Sequence, residues 1–230
     1  ITRIGQRNTH RLTTQTNSGQ VYEVDMRLRP SGASGLLVSS LGAFARYQEN
    51  EAWTWEHQAL VRARVLVGSQ DVGRAFEAVR ARVLGRTQDL AKLRQEVCEM
   101  RTKMRDNLGT KSTAAGTAAN AFEPTALFDL KQDAGGIVDI EFMVQYAALA
   151  WSAQHPLLLR YTDNIRILEG LEQVGLMPAA DAHLLREVYK AYRSAAHRQA
   201  LQNEAGVVAG DQFADERRQV KRIWQELGLS

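Results

Sequence analysis

Two acids and two arginines alternate with apolar residues along Tyr22-Glu23-Val24-Asp25-Met26-Arg27-Leu28-Arg29-Pro30. In an extended chain, successive side chains point to opposite faces. Tyr22, Val24, Met26 and Leu28 therefore share one face, and Glu23, Asp25, Arg27 and Arg29 share the other. The apolar face can pack on a core. The polar face carries carboxylates at one end and guanidiniums at the other, within about 20 Å at about 3.3 Å per residue. Carboxylates suit a divalent cation, and guanidiniums suit phosphate. The same pattern reads equally as a solvated strand face with cross-strand ion pairs. Pro30, Gly32 and Gly35 end the strand. The loop Ser31-Gly32-Ala33-Ser34-Gly35 is either a plain turn or a backbone that a phosphate can approach closely.

A second stretch with chemical content is Phe128-Asp129-Leu130-Lys131-Gln132-Asp133-Ala134-Gly135-Gly136-Ile137-Val138-Asp139-Ile140-Glu141-Phe142. A short extended piece runs through a glycine pair into a helix. Lys131, Gly135 and Gly136 stand at that helix's N-terminus, where exposed N–H groups can hold an anion. Asp133, Asp139 and Glu141 would oppose a bare anion, and a metal bridging carboxylates and phosphate would resolve the conflict. The alternative is a Gly-rich turn whose acids compensate the helix dipole.

The elements that must position these residues are mostly helical. A helix is expected over 2–15, ended by the turn Thr16-Asn17-Ser18-Gly19. Leu36-Leu37-Val38 reads as a brief strand. Ser40 is placed to cap a helix over 41–50, and Thr54 one over 55–66 with Trp55, Ala59, Ala63 and Leu66 on one buried side. On such a helix Arg62 and Arg64 lie about 200° apart and cannot share a ligand. Helices follow over 71–84 and 87–107, with Cys98 and Met104 at core positions. Residues 109–124 are small and polar and read as a flexible surface loop. Ile137, Ile140, Val144, Ala148 and Trp151 form the apolar side of the helix after the glycine pair. Pro156 ends it. Further helices are expected over 163–175, from Pro178 to about Gln202, and over 211–227, with a loop from Gly206 to Gly210. His197 and Arg198 read as surface residues. Short connections between these helices imply a bundle.

Composition excludes several classes. With 44% hydrophobic and 24% charged residues the chain is not disordered. A net charge of +3 does not point to nucleic acid. Cys98 is the only cysteine, so no internal disulfide forms, and no Cys/His spacing suits zinc. No apolar run has the length of a membrane span and no signal peptide is present, so a cytoplasmic setting is expected. The opening Ile1-Thr2-Arg3-Ile4-Gly5 reads as the inside of a helix, and the chain is expected to be a fragment of a longer protein.

Three segments in order, YEVDMRLRPSGASG, SLGAFARYQENEAWTWEHQALVRAR and FDLKQDAGGIVDIEFMVQY, resemble the bacterial glutamine synthetase adenylyltransferase family. The resemblance covers nearly the whole chain except the stretch around 109–124. That family is bifunctional, with one half attaching AMP to glutamine synthetase and the other removing it. RPSGASG followed by AWTWEHQALVRAR looks like the C-terminal, adenylylating half. The resemblance implies an α+β, mostly α fold. Residues 1–85 would be the C-terminal part of a polymerase-β-type nucleotidyltransferase domain and residues 86–230 a helical bundle. It implies Mg²⁺ as cofactor and ATP as substrate. Asp25 matches the third metal carboxylate, while the Asp-x-Asp pair that completes such a site has no counterpart here, so autonomous catalysis by this segment is not expected. Arg27 and Arg29 would contact ATP phosphates. Lys131, Gly135, Gly136, Asp139 and Glu141 match the GGIVDIEF wording shared with PII uridylyltransferases, as nucleotide contacts or site support. The implied partner is glutamine synthetase, with a PII signal protein as a second; nucleic acid and membrane are not expected partners. Two other readings stand beside this one: the deadenylylating half, acting with phosphate, and a non-catalytic helical module that docks either partner.

Overall fold

Local signals in the chain set most helix starts. The hydroxyl of Ser40 accepts from the Ala43 amide at 3.2 Å and opens a helix over Leu41–Asn50. The Asp89 carboxylate accepts from Ala91 and Lys92 and opens Leu90–Leu108. The Asp163 carboxylate accepts from Arg166 and opens Asn164–Gln173. Each supplies an acceptor to amides that have no partner in the first helical turn.

The computed structural model describes residues 2–17, 19, 24, 32, 35–110 and 127–229. In chain order its elements are α1 (Thr2–Thr13), α2 (Leu41–Asn50), α3 (Thr54–Val61), α4 (Gln70–Leu84), α5 (Leu90–Leu108), β1 (Leu127–Asp129), α6 (Ile137–Trp151), a 3₁₀ turn (Pro156–Leu159), α7 (Asn164–Gln173), α8 (Ala179–Leu201), β2 (Val207–Ala209) and α9 (Ala214–Glu226). The described fold is mostly helical with one two-stranded sheet. No helix of the described residues is long and apolar enough to cross a membrane. The chain divides into two units, Ile1–Val83 and Leu84–Ser230.

In the first unit, the expected turn after α1 is present, with Thr16 and Gly19 exchanging backbone hydrogen bonds at 3.0 and 3.1 Å. The buried apolar residues here are Leu60, Val61, Val79 and Val83. Phe44 of α2 packs on Phe76 of α4, with ring centroids 5.7 Å apart. The helix expected over 55–66 stops at Val61. Its buried side consists of Glu56, Gln58, Leu60 and Val61, and Leu66 is exposed. Arg62 and Arg64 lie beyond the helix end, so helical geometry does not separate them.

The second unit is built around α6. Twelve of its residues are buried, including Phe142, Met143, Tyr146 and Ala147 besides the expected Ile137, Ile140, Val144 and Ala148. A helix that is apolar all round is a central helix, with neighbours on every side. Leu93 and Val97 of α5, Ile167, Leu168 and Leu171 of α7, Leu185 and Val188 of α8, and Val220 and Ile223 of α9 fill the rest of the core. Cys98 and Met104 are only half-buried. The expected loop at 206–210 holds β2, which pairs antiparallel with β1 in the register Leu127↔Ala209, Phe128↔Val208 and Asp129↔Val207.

Candidate functional site

Asp25, Arg27 and Arg29, with most of the strand and loop around them, lie outside the described residues. Gly32 is described. Its φ of 54° is left-handed, and its carbonyl accepts from Gly35 N–H at 3.1 Å.

The second stretch is fully described, from β1 through residues 130–136 into α6. Asp129 folds the loop back on itself: one carboxylate oxygen accepts from the amides of Lys131 at 2.8 Å and Gln132 at 3.0 Å. Asp133 ties three strands of chain together. It accepts from Thr110 N–H at 2.9 Å, from the Thr110 hydroxyl at 2.5 Å and from Asp129 N–H at 2.9 Å. Asp139, in the first turn of α6, is buried and accepts from Gly135 N–H at 2.6 Å. Its other oxygen meets Arg101 Nε at 2.5 Å and lies 3.7 Å from Arg105 Nη2. Arg101 is also buried, and its Nη2 donates to the Gln132 carbonyl at 2.7 Å. Further hydrogen bonds help a buried charge pair persist, and the Gly135 amide and the Gln132 carbonyl supply them here, while Arg101 Nη1 has no partner among the described residues.

The glycine pair meets a packing demand. Gly135 has φ of 83°, and a Cβ there would lie 2.8 Å from the Arg217 carbonyl oxygen. A Cβ on Gly136 would lie 2.8 Å from the Leu130 oxygen and 2.9 Å from the Asp133 oxygen. The α6 amides that a ligand anion would need are taken. Gly136 donates to Asp133, Ile137 to Leu130 and Val138 to Lys131. The structure therefore brings Gly135, Gly136 and Asp139 together as one internally bonded turn. Lys131 sits on the same turn with an exposed side chain. Glu141, one turn into α6, is half-buried and accepts from Tyr189 OH at 3.1 Å and Asn164 Nδ2 at 3.5 Å. Among the described residues no group of three or more His, Cys, Asp or Glu could hold a metal ion.

Sequence reasoning missed Arg101, Thr110 and Gln132 as members of this cluster. Arg101 carried a signal: Leu93, Val97 and Arg101 recur every four residues on α5, which puts an arginine on the buried side. Around the same loop, Arg217 stacks over the Phe128 ring at 3.9 Å, and burial pulls its pKa down while Asp133 opposes that shift. Phe128, Tyr192 and Phe213 pack edge to face, with centroids 5.8 and 5.2 Å apart.

In the first unit, the TWEHQALV helix is braced in a similar way. Glu56 is buried and accepts from Trp53 N–H at 2.9 Å and from Tyr47 OH at 2.9 Å. His57 Nε2 donates to the Gln48 carbonyl at 2.9 Å. The buried Arg80 guanidinium donates to the carbonyls of Leu60 at 3.1 Å and Val61 at 2.7 Å, which stops α3 where it stops. Burial pulls the Arg80 pKa down, against the pull of Glu77.

Comparison with known proteins adds to this geometry. Residues 1–93 match the family described as glutamate-ammonia ligase adenylyltransferase, and residues 98–226 match the family described as GlnD PII-uridylyltransferase. A bifunctional glutamine synthetase adenylyltransferase/adenylyl-removing enzyme of Pseudomonas putida is 79% identical over 230 residues, covering 100% of this chain and 24% of that protein. Proteins of the same name from Pseudomonas aeruginosa and Hahella chejuensis are 73% and 52% identical over 229 and 227 residues, each covering 23% of the relative. The chain thus spans about a quarter of the length of the curated relatives it matches.

Proposed function

The chain belongs to the glutamine synthetase adenylyltransferase/adenylyl-removing enzyme family, and from that membership we propose that it is part of the half that transfers AMP from ATP to a tyrosine of glutamine synthetase. The identity of 79% running through all 230 residues supports the family, and the adenylylating half rests on the wording RPSGASG followed by AWTWEHQALVRAR. In this reading residues 1–85 belong to the nucleotidyltransferase domain and residues 86–230 to the helical domain behind it, in a cytoplasmic enzyme. A PII signal protein is a further proposed partner, supported by the match of 98–226 to PII-uridylyltransferases.

The transfer forms a bond from the phenol oxygen to the α-phosphorus and breaks the bond to pyrophosphate, while the phenolic proton leaves to a base. The described carboxylates do not fit a metal role. Asp133 and Asp139 are held by backbone amides and a guanidinium, and Glu141 by a phenol and an amide side chain. Metal binding by Asp25 and phosphate contacts by Arg27 and Arg29 rest on the family resemblance of VDMRLRP. The turn from Asp129 to Asp139 serves the fold of its own unit, and its exposed Lys131 remains a nucleotide contact by family resemblance alone.

The intact half that contains this segment, given Mg-ATP and unmodified glutamine synthetase, is expected to incorporate AMP. Phosphate-dependent release of ADP from adenylylated glutamine synthetase, with no incorporation, would assign the segment to the opposite half. Asp25→Asn is expected to abolish transfer with an unchanged melting curve, and wild-type turnover in that variant would remove Asp25 from the site.

A further inference from the structure

We propose that the solvent side of α8 is a docking groove for an acidic segment of a partner protein. The groove has a volume of about 470 Å³ and is lined by Ile165 of α7 and by Tyr189, Arg193, His197, Arg198 and Leu201 of α8, among others. Arg193, His197, Arg198 and Leu201 lie opposite the side that carries the buried Leu185, Val188, Tyr192 and Ala195, and Tyr189 borders that side with its OH on Glu141. The inference does not depend on the direction of adenylyl transfer.

Charge and shape point to the occupant. Lys190, also on the rim, is held by Glu187 at 2.6 Å. Among the described residues no carboxylate pairs with Arg193 or Arg198. Arg193 reaches only His197 Nε2 at 3.3 Å, and Arg198 only the Ser194 hydroxyl at 3.4 Å. Dipole compensation accounts for Arg198, which stands in the last turn of α8. It does not account for Arg193, or for Leu201, which is 86% exposed beside them. Two unpaired guanidiniums beside Ile165, the Tyr189 ring and Leu201 match a segment that presents carboxylates and an apolar side chain together. A polynucleotide would need a longer array of cations than this groove offers.

The test uses the intact chain and a fluorescein-labelled amphipathic peptide of Glu and Leu, followed by fluorescence anisotropy. The peptide is expected to bind. Arg193→Glu combined with Arg198→Glu should weaken binding by about tenfold or more, and Leu201→Ser should weaken it without changing charge. Lys221→Glu, an exposed reversal on α9, should leave binding as it was. All four residues are exposed or at the surface rim, and circular dichroism melting checks that each variant folds. The proposal is overturned if the peptide does not bind, if Lys221→Glu causes the same loss, or if a Gln-for-Glu peptide binds equally well. Tighter binding of a single-stranded oligonucleotide at the same residues would also overturn it.

Discussion

The two units handle buried charge differently. In the second unit, Arg101 and Asp139 are both buried and bonded to each other, and the turn from Asp129 to Gly136 is wrapped around the pair. In the first unit, the buried cation Arg80 lies 3.7 Å from the half-exposed Glu77 carboxylate and holds the last carbonyls of α3. Glu56 likewise takes its partners from a phenol and a backbone amide. An ion pair demands its partner, because a single buried charge left behind is costly. Removing a guanidinium from helix carbonyls leaves neutral acceptors without a donor, a smaller cost than an orphaned charge. Residues that look chemical can therefore be structural to very different degrees.

The largest expected effect comes from breaking the pair. Asp139→Asn keeps the shape of the side chain but leaves Arg101 charged and buried, and should lower stability by about 3–5 kcal/mol. Urea denaturation of the intact chain measures the loss. Hydrogen exchange locates it, with α5 and α6 losing protection while α2 to α4 keep theirs. Arg101→Met with Asp139→Leu should cost less than Asp139→Asn alone, since neither charge is then orphaned. A double variant that is the weaker of the two would show that the surrounding turn, and not the uncompensated charge, sets the cost.

A smaller effect is expected in the first unit. Arg80→Met removes the donors to Leu60 and Val61 and should cost about 1–3 kcal/mol. Protection should fall at the end of α3 and stay unchanged in α6. A loss as large as that of Asp139→Asn would erase the difference drawn between the units.

How far the sequence discloses these arrangements depends on distance along the chain. Ser40 caps the helix it precedes, which is readable because donor and acceptor lie three residues apart. The end of α3 is not readable, since the guanidinium that holds it arrives from Arg80, 20 residues beyond Leu60. The partner of Asp139 is 38 residues upstream. β2 is three residues long and pairs with a strand about 80 positions earlier, so Val207–Ala209 shows only as a short run between glycines. The stretch Lys131 to Glu141 reads as an anion site because glycines and a lysine precede a helix. Its amides are taken by Leu130, Lys131, Asp133 and Asp139, three to seven residues away, in an irregular turn that no helix or strand periodicity announces. For Asp25, Arg27 and Arg29 the family wording remains the ground for a role.

The smallest expected effect tests the second unit's core where a polar group has no partner. The Tyr192 hydroxyl is buried and has no hydrogen-bond partner among the described residues, and its ring lies between Phe128 and Phe213. Burial, with Glu216 and Asp139 adding to it and Arg217 opposing, raises its pKa above the ordinary phenol value of 10.0. Below that value the phenol is protonated in both folded and unfolded chains, and its contribution to stability is fully present. As pH rises further the unfolded chain gives up the proton first, so stability falls by about 1.4 kcal/mol per pH unit until the folded-state pKa is reached. Tyr192→Phe keeps the edge-to-face packing and removes the unpaired hydroxyl. At neutral pH it should lie within about 1 kcal/mol of wild type, on the stabilising side, because no bond is lost and a desolvated group is gone. Urea denaturation at about pH 8 and about pH 11 should show a smaller alkaline fall in the variant, by about 1 kcal/mol. An equal fall in both proteins, with a clear loss at neutral pH, would mean that the hydroxyl has a partner, as both oxygens of the Asp139 carboxylate do.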